Sequence, residues 1–532
     1  MRPMPAAALV AMVLGATRLD AASKMGGSAD YKHVPEWRLK DTGYQKEAMV
    51  KYKGNVFVVA YEPAKKAPGV DPQEGWRLYD ELYDVTTLTG ARSERMKVIG
   101  YIPSWRKGAG FEYTNPEVYR NITHGIVAFL EFDEANLGEF KKRSLDNVNG
   151  IIDDVVRVGH VQGTKISIAL GGASDLGFLK LLRRIGQGLA VQGGEARFTD
   201  PAAERLLDRV VQYVACFVHS HCLDGVDLDL ERWWGDGNSV EEESAQNKSR
   251  GAKPAGYALT AFAAKLRSAV PGMTLSAATF GTSWFGNNYD PKVVDHLDWL
   301  ALMTYDLTGS WNASPVGPHT ALKTIRDQTA YLGEQQGPWP ETTLVKDVQP
   351  YKNNPIHTAE DSIWYWTNPG YINWQGRGQS LPRAKIAVGV PAYGYDFAHG
   401  KDRDPETGQV GNGYKTLEYR VILAQYPDAH LAPNANIKVP GQTPRVPFVS
   451  APGNYPYAHN IYFETPATAV TKLNYIRDIG GQGVIVWDLT QDVQDDARSI
   501  VKALYRASGN PTTRPLIPTL GTGDTQRATP TE

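Results

Sequence analysis

Cysteine is scarce in this chain. Its 532 residues contain two, Cys216 and Cys222. Two cysteines cannot staple a chain of this length, and neither a CxxC motif nor a Cys/His metal spacing occurs. Their closeness allows one local disulfide, and two buried free thiols are the simpler reading. Net charge is scarce too. The formal value of −2 leaves no electrostatic footprint for nucleic acid or an anionic membrane. No stretch reaches the ~18 unbroken apolar residues of a membrane span. Nothing signals a metal or an organic cofactor. Apolar residues, by contrast, make up 42% of the chain, enough for a sizeable core. The length suits one large domain plus a small module. Aromatics reach 10%, with 13 Trp and 27 Tyr; a large fold absorbs many of these in its core, and the count also fits a protein that stacks rings on sugars. Residues 1–22 read as a signal peptide: Arg2, an apolar run from Ala6 to Ala16, then small Ala21 and Ala22. The expected destination is extracellular.

Three regions separate along the chain. Residues 31–84 are dense in aromatics, including Trp37, Tyr44, Tyr52, Phe57 and Trp76. Met49–Gly54 followed by Asn55–Ala60 predicts two strands joined at Lys53-Gly54. So small an all-β module has little core, so some of its aromatics must be structural. Residues 96–507 carry short β-branched or apolar runs separated by helical stretches. The runs lie at 98–101, 125–129, 166–170, 226–230, 275–278, 299–303, 386–390 and 483–487. Strands alternating with helices in this way predict an α/β fold, a TIM (β/α)8 barrel. A Gly/Pro-rich interval at about 392–462 reads as an inserted α+β subdomain after strand 7. Residues 508–532 are rich in Thr, Pro and Gly and read as a disordered tail.

The segment Asp224-Gly-Val-Asp227-Leu-Asp229-Leu-Glu231 carries the chemistry. On a strand, Asp227, Asp229 and Glu231 share one face, spaced about 6–7 Å apart. Val226, Leu228 and Leu230 take the other. In a parallel barrel both faces are covered, so the apolar set suits the helices and the acids point inward. Several unpaired inward charges are costly, and carboxylates tolerated there share protons and separate their pKa values. Glu231 ends the run at the C-terminal face, where barrel active sites lie.

This segment resembles the Asp-x-x-Asp-x-Asp-x-Glu signature of glycoside hydrolase family 18, the chitinase family, and matches it completely. Further segments resemble the family in order: Lys165–Gly172 ending Leu-Gly-Gly, Met303-Thr-Tyr305-Asp306 through Trp311, Gly389–Gly394, and Gly483–Trp487 followed by Asp488. The resemblance implies retaining, substrate-assisted hydrolysis of β-1,4 N-acetylglucosamine linkages. In that scheme Glu231 protonates the glycosidic oxygen. The substrate's acetamido carbonyl attacks the anomeric carbon, giving an oxazolinium intermediate. Asp229 orients the acetamido group, Asp227 holds Asp229, and Tyr305 bonds the acetamido oxygen. Trp487 floors the sugar, while Tyr101, Met303, Asp306, Trp311 and Tyr393 contact substrate or line the cleft.

The chain departs from the family pattern at several places. Ala169 stands for a usual serine, Ala173 for a frequent tryptophan, Leu230 for another tryptophan, and Tyr395 for a common arginine. Trp233 and Trp234 could supply another sugar platform or pack under the polar loop that follows. The N-terminal module resembles chitin-binding modules of carbohydrate-binding family 5/12, without their adjacent tryptophan pair. The expected partner is chitin or a chitooligosaccharide, bound by a monomer. Two other readings stay open: an endo-β-N-acetylglucosaminidase acting on glycans or peptidoglycan, and a chitin-binding lectin or scaffold subunit.

Overall fold

The computed structural model describes residues 35–45, 48–52, 55–59, 64–68, 76–81, 94–235, 237, 252–309, 318–322, 357–368, 372–373, 376–396, 415–431, 448–451, 459–494 and 497–517. The expected leader at 1–22 and Trp311 lie outside these residues. Eight strands close a parallel barrel: β1 (Lys97–Pro103), β2 (His124–Leu130), β3 (Lys165–Gly171), β4 (Gly225–Asp229), β5 (Thr274–Phe280), β6 (Trp299–Met303), β7 (Ile386–Pro391) and β8 (Gly483–Trp487). Each strand pairs in parallel with the next, and β8 closes on β1.

The alternation of residues on each strand divides the core in two. One side of every strand joins a continuous apolar layer with the surrounding helices, including Val226 and Leu228 of β4, both fully buried. Burying a side chain of that size contributes about 1.5–3 kcal/mol. The other side fills the barrel interior, where Ala128, Ala169, Ala278, Ala301 and Ala387 keep the packing thin around Tyr101, Trp299 and Tyr305. Small residues there leave room for the inward acids.

The helices carry local start signals. Pro201–Ser220 begins with Pro201 in its first turn, and the Asp200 carboxylate accepts from the Ala202 amide. Ala359–Thr367 and Pro466–Asp478 each open with a capping box, Thr358 with Asp361 and Thr465 with Thr468. Between β7 and β8 the chain forms a four-stranded antiparallel sheet in the order 415–418, 393–396, 459–462, 448–451, with the helix Tyr419–Gln425. No helix among the described residues is long and apolar enough to cross a membrane.

At the N-terminus, Met49–Tyr52, Asn55–Val59 and Trp76–Glu81 form an antiparallel sheet. Tyr44, Phe57 and Trp76 make its core, while Trp37 and Tyr52 sit edge to face at 5.7 Å and are half-buried.

Two expectations need correction. Residues 508–517 are ordered along the bottom of the barrel. The Met96 amide donates to the Ser508 carbonyl at 2.8 Å, and Arg514 donates to the Tyr119 carbonyl and the Thr164 hydroxyl, both at 2.8 Å. The Ile517 amide donates to the His160 carbonyl at 3.0 Å. Backbone amides and the side chains of Tyr505, Asn510 and Arg514 hold this segment, so its shortage of apolar residues was a poor guide. Residues 518–532 lie outside the described set. The cysteines are free thiols, but Cys216 is exposed on its helix and Cys222 half-buried, so neither is a core residue.

Candidate active site

The chain reverses sharply at the end of β3, and two glycines make that possible. Gly171 and Gly172 have φ of +110° and +99°. A Cβ on Gly171 would stand 2.1 Å from the Asp229 carbonyl oxygen. That closeness lets the Gly172 amide donate to the same carbonyl at 2.8 Å, fixing the end of β4. The Leu-Gly-Gly segment therefore sets the height at which the acids of β4 emerge.

Asp227 is fully buried at the base of the row. Its Oδ2 accepts from the Tyr101 hydroxyl at 2.8 Å, and its Oδ1 from the Ser276 hydroxyl at 2.5 Å. Burial pushes its carboxyl up to about 6, and these two donors pull against that rise. Asp229, one pleat higher, is held well above the usual carboxylate range, first by burial and then by the charges of Glu231 and Asp227. It shares a hydrogen bond with Glu231, while its Oδ1 is buried with no protein partner. Glu231 stands just beyond β4 and accepts from the Ala173 amide. Burial, then the negative charges of Asp306 and Asp227, raise it to about 7. The row thus titrates as a unit, protonated further up the pH scale than ordinary carboxylates.

Above the row lies a cleft of about 310 Å³. Its lining includes Asp229, Glu231, Tyr305, Met303, Asp306 and Trp487. Gly389 of β7 makes room for Tyr305: a Cβ there would meet the phenol ring at 2.6 Å. Burial and the surrounding carboxylates hold the Tyr305 and Tyr101 hydroxyls protonated, so both remain hydrogen-bond donors. Tyr101 also borders the cleft, but its hydroxyl is engaged by Asp227. Tyr393 is buried and donates to Asp306 Oδ1 at 2.6 Å; Tyr395 donates to the same oxygen. The structure therefore gives Tyr393 to the support of Asp306, which is itself exposed. A phenol at 395 supplies a hydrogen bond to Asp306 where the family pattern has a cation.

Several residues of the site escaped the sequence reading. Trp105 follows the end of β1 and is 48% exposed. It stacks on Phe129 at 5.9 Å, and Phe129 stacks on Trp487 at 5.7 Å, giving a stepped aromatic wall along one end of the cleft. Its place just past a barrel strand was the available signal. Glu131 borders the cleft and is paired with Lys141 at 2.7 Å. Trp233 is core, edge to face with Tyr289, whereas Trp234 is 41% exposed and stacked on Phe285 at 5.2 Å. Asp224, the first acid of the motif, lies at the opposite end of β4. Its Oδ2 accepts from the Ile166 amide at 2.7 Å and faces His160 Nε2 at 2.8 Å, so its role is to tie helix Ile152–Val161 to the sheet.

A carboxyl raised to about 7 beside a second acid held above the usual carboxylate range, at the C-terminal mouth of a barrel, can hold and release a proton near neutral pH. The model of glycosyl hydrolases family 18 matches residues 97–492, from the first barrel strand past the last. The chain belongs to glycosyl hydrolases family 18. Among family relatives, it is 24% identical over 477 residues to chitinase A1 of Niallia circulans, covering 81% of this chain and 62% of that one. It is 25% identical over 323 residues to a probable chitinase 10 of Drosophila melanogaster, covering 58% of this chain and 11% of that one. The chain thus spans less than two thirds of either relative. Its fold is similar to the Group IV chitinase of Ostrinia furnacalis, with a TM-score of 0.52 and 16% identity over 78% of this chain and all of that one. It is equally similar to human YKL-39, described as a pseudo-chitinase that retains chitooligosaccharide binding, with a TM-score of 0.51 and 16% identity over the same shares. The fold is therefore shared by a protein described as a chitinase and by one described as a pseudo-chitinase.

Proposed function

We propose that this chain is a chitinase, hydrolysing β-1,4 N-acetylglucosamine linkages with retention through an oxazolinium intermediate. The observation that carries the reading is the state of Asp229: a buried carboxyl beside Glu231, bordering the cleft, with one oxygen lacking any protein partner. A buried polar atom without a partner is costly, and an acetamido N–H supplies the missing donor. Glu231, protonated up to about pH 7, gives its proton to the glycosidic oxygen as the bond breaks. The acetamido carbonyl closes on the anomeric carbon, Asp229 accepts from the N–H of the ring nitrogen through its unpartnered oxygen, and Tyr305 donates to the acetamido oxygen. Glu231, now a carboxylate, takes a proton from the water that opens the oxazolinium. Asp229 sits one pleat below Glu231, which suits orienting the acetamido group better than attacking the sugar.

The intact Glu231 favours an enzyme over a lectin. The stepped wall of Trp105, Phe129 and Trp487 favours a chain of several sugars over a single glycan stem. We propose that the N-terminal sheet adds chitin binding through Trp37 and Tyr52, and that the protein acts outside the cell. Product analysis on chitin oligomers of defined length, with anomers resolved, tests the activity. Products released first as the β-anomer are expected. Release of the α-anomer, or binding without cleavage, would contradict the reading.

A further inference from the structure

The turn that follows β6 is held by a residue thirteen positions further along the chain. Asp306 borders the cleft and has φ of +53°, a backbone conformation that residues other than glycine seldom take unless their surroundings hold it. His319 supplies that hold twice. Its carbonyl accepts from the Leu307 amide at 2.9 Å, and its ring Nδ1 accepts from the Asp306 amide at 3.4 Å. The ring is fully buried, with its centroid 5.2 Å from that of Tyr393 and 4.4 Å from that of Tyr395, the two phenols that donate to Asp306 Oδ1. We propose that His319 is a positioning residue for the glycosidase reaction, fixing Asp306 in its left-handed turn so that the carboxylate borders the cleft near Glu231. The inference rests on the reading of this site as that of a glycosidase.

His319 is poorly suited to packing alone. With Nδ1 accepting, the ring proton lies on Nε2, and Nε2 is buried with no hydrogen-bond partner. An unpaired buried donor costs stability, and an apolar side chain of similar size would avoid that cost. What the imidazole adds is the Nδ1 contact to the turn. The segment that carries it is itself anchored. The neighbouring Thr320 hydroxyl donates to the Thr304 carbonyl at 2.9 Å and contacts both members of the buried pair Lys472–Glu464. Thr304 in turn exchanges hydrogen bonds with Gly389 of β7, at 2.9 and 2.8 Å. His319 is therefore fixed relative to the end of β6, to β7 and to the helix Pro466–Asp478, and its ring transfers that placement to Asp306. The reaction senses Asp306 through Glu231, which burial first and then the Asp306 charge raise to about 7. A carboxylate that swings away with a loosened turn takes that charge from Glu231 and an acceptor from the cleft.

The test is a double-mutant cycle on kcat/KM for a chitin oligomer, built from His319→Leu and Asp306→Gly. Glycine at 306 removes the carboxylate and takes the positive φ freely. His319→Leu should lower kcat/KM about ten- to a hundredfold in the native chain, and no more than about twofold in the Asp306→Gly background, because misplacing a group costs activity only where the group exists. A merely structural defect would cost the same factor in both backgrounds. Oligomer affinity in the same four proteins gives the same comparison where Asp306→Gly is too slow to assay. His319→Asn should recover most of the loss, because its Oδ1 takes about the place of the ring Nδ1 and accepts from the same amide. If His319→Leu does not fold, His319→Phe keeps a ring beside the two tyrosines without the acceptor and gives the same reading. Equal losses in both backgrounds, or a native rate in His319→Leu or His319→Phe, would overturn the proposal. So would a His319→Asn variant that folds normally yet stays as slow as His319→Leu. A native chain that cleaves no chitin oligomer would instead overturn the glycosidase reading on which the proposal rests.

Discussion

Glu231 and Asp229 combine burial with the charge of neighbouring carboxylates, and both effects can be measured at single residues. Glu231→Gln keeps the shape of the side chain but removes the proton donor. Its rate on chitin oligomers should fall at least about a hundredfold while oligomer affinity persists; near-native turnover would exclude Glu231 as the acid. The same substitution should affect stability in the opposite sense. A carboxyl raised from its ordinary value to about 7 binds its proton more tightly in the folded state. Its contribution is fully present below the unfolded value near 4.5 and is lost as pH rises through about 7. Glu231→Gln is therefore expected to raise the melting temperature by about 2–4 °C at pH 8 and to leave it unchanged at pH 4. Calorimetry at the two pH values checks this. In catalysis, a group that must carry a proton near 7 and one that must lose it near 6 predict a bell-shaped profile. Its limbs belong to the coupled row rather than to either residue alone.

Among the elements, the β3 turn and the edge of the inserted sheet set the site's shape. Gly171→Ala would place a Cβ 2.1 Å from the Asp229 carbonyl, on a backbone with φ of +110°. It should cost at least about 2 kcal/mol of stability and displace the β4 acids, so activity falls even where the protein stays folded. Wild-type melting and activity in this variant would show that the turn does not fix the row. Arg106, beside Trp105, is paired with Glu418 of the inserted sheet. Glu418→Ala should loosen the Trp105 platform, raising KM severalfold for long oligomers while sparing kcat on short ones. Steady-state kinetics on a length series decides this. The β4 acids were legible because a two-residue period on a parallel strand forces both faces to declare themselves. The eight strands were legible because their apolar runs recur between helices. Ser276 was not, because its hydrogen bond depends on register between strands nearly fifty residues apart. Tyr101 and Tyr393 were visible as site residues, but their hydroxyls turned out to serve Asp227 and Asp306. Segment 508–517 misled because amide hydrogen bonds leave no mark on composition.

At the scale of the whole molecule, the chain carries an eight-stranded barrel and a small N-terminal sheet whose aromatics, among the described residues, are buried or half-buried. Tyr44, Phe57 and Trp76 stabilise that sheet, while Trp37 and Tyr52 are half-buried against its core, so the proposed chitin contact falls to their remaining exposed edges. A chain beginning at residue 94 should bind insoluble chitin more weakly, yet cleave short soluble oligomers at the native rate. Unchanged retention on chitin beads would assign the sheet a purely structural part. The central claim is that the nucleophile belongs to the substrate, and it predicts that the acetamido group at the cleaved sugar is indispensable. The direct measurement compares hydrolysis of a chitin oligomer with that of the fully deacetylated oligomer of equal length, with mass spectrometry of the protein during turnover. The account predicts cleavage of the first, none of the second, and no sugar covalently attached to the protein. Cleavage of the deacetylated oligomer at a similar rate, or a sugar trapped on Asp229, would contradict it.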